Sequence, residues 1–164
     1  MRRALAYGVA ASLLSFSAEA ASCPQEQARY QDRDKAYELA FLPEASDAQT
    51  AEHRFTLSVL GTSLKLDGYV MGASPDERPS SMLFFNCPEG DVTGADLQAC
   101  TIWQGVIYGE SGGTLSLLPA AGQPAAGALL LPALGPAIRQ STLFGEGKAQ
   151  LAPWDVLTFS GCAS

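Results

Sequence analysis

Residues 86–108 read NCPEGDVTGADLQACTIWQGVIY, with Cys87 and Cys100 bracketing an acidic, glycine-punctuated stretch. Met82 to Phe85 leads in as a short unbroken apolar run, which suits a central strand covered on both faces. Beyond Cys100, Ile102, Gln104, Val106 and Tyr108 oppose Trp103 and Ile107, the alternation of one further strand. Bonded together, the two cysteines would turn the loop into a clip between strands. Inside it, Thr93-Gly94-Ala95-Asp96 has the form of a capping box, with Asp where Glu or Gln is usual. It predicts one helical turn ending near Cys100.

Outward from the clip, the strongest strand signal lies upstream. Phe55, Leu57 and Val59 alternate with Arg54, Thr56 and Ser58; Gly61-Thr62-Ser63 turns the chain; Leu64, Leu66 and Val70 then alternate with Lys65, Asp67 and Tyr69. Two alternating runs joined by a short Gly-containing loop predict an antiparallel hairpin. Gly68 inside the second run marks a bulge or a close backbone approach. Tyr37, Leu39 and Phe41 give an earlier half-buried strand stopped by Pro43. Residues 21–35 read as an irregular polar lead-in, 44–52 as a loop, and Gly72 to Ser80 as a loop carrying Pro75 and Pro79.

Downstream, Gly109-Glu110-Ser111-Gly112-Gly113 reads as a turn, Thr114 to Leu118 as its return strand, and 119–128 (PAAGQPAAGA) as a low-complexity loop with no capacity to pack. Leu129 to Leu131 reads as a short strand, and Pro132 to Ser141 as a single helix broken or delayed by Gly135 and Pro136, with Pro136 tolerable at a first-turn position. Pro153-Trp154-Asp155 forms a corner before a last strand, Val156 to Gly161. The expectation is an all-β fold, an antiparallel sandwich or small barrel of seven to nine short strands with one or two short helices.

The N-terminus has the form of an export signal. Arg2 and Arg3 precede an apolar run from Leu5 to Phe16, and Ala18-Glu19-Ala20 is a small-x-small cleavage site. The run is shorter than the roughly 20 apolar residues that span a bilayer. The expected organisation is a signal peptide over 1–20 and a single disulfide-stabilised β domain over 21–164, located in the periplasm or secreted. All four cysteines, Cys23, Cys87, Cys100 and Cys162, lie beyond the cleavage point, and their even number fits oxidised pairs. Of three possible connectivities, Cys87–Cys100 and Cys23–Cys162 are favoured, by the short loop of the first and the bracketing position of the second. Zinc is disfavoured, because there is no CxxC pair and an oxidising compartment removes free thiolates.

The whole chain carries a formal net charge of −7. Loss of Arg2, Arg3 and Glu19 with the signal would make this −8. That acidic balance argues against nucleic acid and anionic membrane surfaces, both of which call for basic patches.

Several fragments imitate catalytic sites. Gly109 to Gly113 fits GxSxG, and Thr50-Ala51-Glu52-His53 resembles the segment around the histidine of chymotrypsin-like proteases. The hydrolase version needs a helix after Ser111 and a later histidine, and His53 is the sole one and precedes it. The chymotrypsin-like version needs two β-barrels, for which the chain is too short. His53 is expected as a solvated residue at the start of a strand. Glu89, Asp91 and Asp96 form an acidic cluster that could attract calcium, yet they lack the DxDxDG spacing and suit Asx-turns and caps. No pair of carboxylates is marked for glycoside chemistry. Trp103, Tyr108, Trp154 and Tyr69 could line a ligand groove or fill a core. No catalytic residue, cofactor or metal ligand is expected. The candidate binding surface is Glu89, Asp91, Asp96, Trp103, Tyr108 and Trp154.

Cys23-Pro24, the 86–108 run, Pro153-Trp154-Asp155 and the terminal Gly161-Cys162 together resemble a family of small exported bacterial proteins to which no activity is attached. The resemblance therefore transfers no functional residue. Three expectations follow. The first is a rigid non-enzymatic module binding an envelope protein or small ligand, one form being an inhibitor whose clamped acidic loop enters a basic hydrolase. The others are a small enzyme with a carboxylate site and a structural accessory of an envelope complex.

Overall fold

The computed structural model describes residues 23–43, 51–74 and 76–163. The expected signal peptide and most of the 44–52 loop lie outside them.

After a 3-10 turn over Gln25–Gln27 come β1 (Ala28–Asp32), β2 (Tyr37–Leu42), β3 (Ala51–Val59), β4 (Lys65–Met71) and β5 (Ser80–Phe84). The short helix α1 (Gly94–Cys100) precedes β6 (Thr101–Gly105), β7 (Tyr108–Ser111), β8 (Thr114–Leu117) and β9 (Ala128–Leu130). Helix α2 (Leu134–Gln140) and β10 (Val156–Cys162) are the last described elements. All pairs are antiparallel, in one curled half-barrel of ten strands ordered β6-β5-β4-β3-β2-β1-β10-β9-β7-β8. The fold is thus mostly β and antiparallel, with ten strands among the described residues where the sequence suggested seven to nine.

Alternation supplies the inner face. Tyr30, Leu39, Phe41, Phe55, Leu57, Leu66 and Leu83 are essentially inaccessible, and Leu134 and Ile138 of α2 are equally buried. Aromatic rings follow one another across strands. Tyr30 meets Phe159 edge-on at 5.8 Å and Phe41 at 6.0 Å, and Phe41 lies 5.7 Å from Phe55 opposite it on β3. Such pairs add stabilisation beyond their buried area, roughly 0.5–1.5 kcal/mol each. Gly68 faces Phe55 across β3–β4, and a Cβ there would collide with the Phe55 ring. This is the close approach its position in the strand suggested.

Two cross-links close the domain: Cys23–Cys162, with Cα atoms 6.0 Å apart, and Cys87–Cys100, at 5.2 Å. Both favoured pairings are present.

Five expectations are corrected. From Cys23 on, the stretch 21–35 expected as an irregular lead-in carries regular structure instead, with β1 between β2 and β10 in mid-sheet. One of its inward positions is Asp32, 2% exposed, whose Oδ1 accepts from the amides of Ala36 (2.8 Å) and Tyr37 (2.9 Å) and so closes the β1–β2 turn. His53 is not solvated: it is buried at 3% exposure, edge-on to Phe41 at 5.5 Å. Residues 119–128 do pack. Ala126 is buried, its amide donates to Gln25 Oε1 and its carbonyl accepts from the Tyr30 hydroxyl, while Gly122 N–H donates to Glu26. Hydrogen bonds from these side chains to the segment's backbone, together with Ala125 and Ala126 packed on the core, hold it. Strand β5 is next to the sheet edge and is buried only through Ser81 and Leu83, with Met82 and Phe84 half-exposed on the outer face.

The last correction shapes the whole fold. Residues 101–108 are not one strand but the whole of β6 and the first residue of β7, which lie near opposite ends of the sheet order. Only Val106 and Ile107 separate them, and two residues carry a chain no more than about 11 Å between flanking Cα atoms. The sheet must therefore curl until its ends approach.

Candidate binding cleft

The corner at Pro153–Asp155 positions the most exposed aromatic side chain among the described residues. Helix α2 has no cap of its own: Ala133 stands at the N-cap with φ of 63° and offers no side-chain hydrogen bond. The cap arrives from the far side of the chain. Asp155 Oδ2 accepts from the Ala133 amide (2.8 Å), Oδ1 from the Gly135 amide (3.2 Å), and its carbonyl from the Leu131 amide (2.8 Å). These bonds satisfy donors that every helix start leaves open. Gly135 has no room for a side chain, since a Cβ would strike the Pro153 carbonyl oxygen.

With Asp155 fixed, Trp154 turns outward. Its indole N–H donates to Asp34 Oδ2 at 2.7 Å, and the Arg33 guanidinium lies 3.7 Å from its ring centroid. Arg33 Nε also pairs with Asp34 Oδ1 at 3.7 Å. The indole is held twice, yet 46% of the residue remains exposed, and Leu151 and Val156 beside it are 59% and 48% exposed. Together with Arg139, Gln140 and Phe144 they border an open cleft of about 780 Å³. Asp34 and Asp155 also line it, and both carboxylates are already engaged as acceptors.

A second concavity, about 730 Å³, lies on the outer face of β4–β6 beside α1, between Tyr69, Met82, Phe84 and Leu97. The clip forms one wall. Thr93 and Asp96 make the capping box in both directions, and the Thr93 hydroxyl and amide hold the Asp96 carboxyl below the usual carboxylate range.

The six residues read as one candidate surface are dispersed. Trp103 is 4% exposed and its indole donates to the Pro132 carbonyl at 2.9 Å, so it belongs to the core rather than to any surface. Tyr108 is half-buried, its hydroxyl accepting from Arg78 at 2.7 Å. Glu89 and Asp91 are exposed in the clip loop, and Asp96 caps α1. Trp154 alone stands in the larger cleft. Its partners Arg33 and Asp34 carry no local sequence signal, since 120 positions separate Asp34 from Trp154.

The protease-like fragment resolves into a hairpin. Gly109 to Ser111 are strand, and Gly112 and Gly113, with φ of 59° and 84°, form the two-residue turn to Thr114. Both positive angles match a type I′ turn, which glycine adopts freely. Ser111 is exposed there, whereas His53 faces the interior. Among the described residues no group of three or more His, Cys, Asp or Glu gathers as a metal site would require.

No family model, curated protein or solved structure matches this chain. The geometry therefore carries the functional argument alone.

Proposed function

We propose that this is a non-enzymatic binding module of the cell envelope or secreted space, recognising its ligand in the Trp154 cleft. The observation that carries the reading is the state of Trp154: fixed by a hydrogen bond and a stacked guanidinium, yet nearly half exposed. A side chain held by such contacts has less rotamer freedom to lose when a ligand arrives, which favours affinity. Exposed apolar surface at a concave site is also characteristic of recognition. The engagement of both cleft carboxylates in structural hydrogen bonds speaks against acid–base chemistry there. Two disulfides suit an oxidising compartment, and none of the described helices is long and apolar enough to cross a membrane. The export signal read in residues 1–20 supports the same location.

Ligand-observed NMR against separate envelope pools of glycan, peptide and lipid tests the reading, with wild type and Trp154→Ala compared. One pool is expected to broaden with wild type and not with the variant. If no pool distinguishes the two proteins, the cleft is not the recognition site.

A second reading keeps the clip as the contact. Glu89 and Asp91 are exposed on a loop braced by Cys87–Cys100, which suits insertion into a basic hydrolase cleft. Inhibition of basic hydrolases that disappears in Glu89→Gln/Asp91→Asn would support it, and inertness of wild type across such a panel would remove it.

A further inference from the structure

The chemistry left open in the cleft narrows the ligand class; this inference rests on the cleft being the binding site. Trp154 has no donor to offer, because Asp34 takes its N–H, and Arg33 covers one ring face. What remains is an apolar, electron-rich face that suits the flat C–H face of a ring. The two lining carboxylates keep their charge but are offset, Asp34 by Arg33 at 3.7 Å and Asp155 by the amides at the start of α2, which leaves Arg139 as the remaining charge of the cleft.

Arg139 is the unspent charge. It is exposed, its guanidinium lies 5.9 Å from the Phe144 ring centroid, and it makes no salt bridge among the described residues. In a chain of net charge −7, a cation at a cleft with no acidic partner complements an anion. A guanidinium presents a planar fork of donors that matches a carboxylate. The side-chain amides of Gln140 and Gln150 add donors and acceptors on the same lining. A ligand with a C–H face, hydroxyl or acetamido groups and a carboxylate uses all three features.

We propose that the Trp154 cleft binds an acidic saccharide, one sugar ring stacked on the open indole face and a carboxylate held by Arg139. The volume of about 780 Å³ falls within the roughly 300–1,000 Å³ typical of ligand pockets.

Tryptophan emission gives a local readout. Trp103 and Trp154 are the two tryptophans, and only the second is exposed. The probes are the disaccharide of N-acetylglucosamine and N-acetylmuramic acid with its carboxylate free, the methyl ester of that disaccharide, and neutral diacetylchitobiose. Wild type is expected to bind the acid about tenfold or more tightly than the ester or the neutral sugar. Arg139→Gln should remove that preference while still binding the ester, and Trp154→Ala, followed by calorimetry, should lose all three. Both positions are exposed, so unchanged thermal unfolding certifies each variant. Equal affinity for acid and ester, or an acid preference surviving in Arg139→Gln, overturns the proposal. If none of the sugars binds but a peptide or lipid pool binds in a Trp154-dependent way, the saccharide assignment falls and the cleft stands. If nothing binds there, both fall.

Discussion

Phe55 and Gly68 face each other across β3 and β4, and the phenylalanine ring occupies the space a side chain at position 68 would need. Phe55 is itself 1% exposed and packed at a tilt against Phe41, so it has nowhere to retreat. Gly68→Ala should therefore destabilise the protein by about 1–3 kcal/mol through overpacking, despite the better strand propensity of alanine. Gly72→Ala, in open space just beyond β4, should stay within about 0.5 kcal/mol of wild type. Urea unfolding of the pair checks the contrast, and equal midpoints would refute the steric account.

The cap that Asp155 lends to α2 should be measurable in the same way. Asp155→Ala leaves the Ala133 and Gly135 amides without their acceptor and should cost about 1–2 kcal/mol. Asp155→Asn keeps one acceptor oxygen and should cost less. Because the corner also holds Trp154, Asp155→Ala should lower the steady-state anisotropy of the exposed tryptophan.

Alkaline and acid limits follow from four groups. Burial pushes the Tyr30 and Tyr37 hydroxyls up to about 12, Asp32 adding to the effect at Tyr37. The unfolded chain loses these protons near pH 10, so above that it binds fewer protons than the folded one. Stability is complete below about pH 10 and falls as pH rises towards 12. Asp96 and Glu26 are shifted the other way, Asp96 by the Thr93 hydroxyl and Glu26 by the Gly122 amide. Their contribution is present above the ordinary carboxylate range and is lost as pH falls through their lowered values. Thermal midpoints across pH should decline at both ends, and in Tyr30→Phe the alkaline decline should be shallower.

The two disulfides should differ in weight. Cys23–Cys162 closes a sequence separation of 139 and Cys87–Cys100 one of 13. In the chain-entropy account the longer loop stabilises more, about 4–5 kcal/mol against about 3. Cys23→Ser/Cys162→Ser should therefore unfold at lower denaturant than Cys87→Ser/Cys100→Ser, and the reverse order would contradict that account.

What could be read in advance was local. The β3–β4 hairpin announced itself through Phe55, Leu57 and Val59, and α1 through Thr93 and Asp96, because period-two burial and a capping box depend on near neighbours. Strand β1 did not, since its inward Asp32 is satisfied by amides and looks polar in a string of letters. The alternation from Ile102 to Tyr108 continues smoothly through Val106 and Ile107, and nothing local marks where the chain leaves one end of the sheet for the other. The cleft was half legible. Trp154 stood out as an aromatic at a corner, whereas Arg33, Asp34 and Arg139 join it only after the chain has folded.

Cys23 and Cys162 hold the two ends of the described domain 6.0 Å apart between Cα atoms. A tensile load applied through those ends runs across one sulfur–sulfur bond and bypasses every strand between them. Tethered to a moving surface or dragged through a meshwork, the oxidised protein keeps its shape under pulling, and the cleft keeps its outline with it.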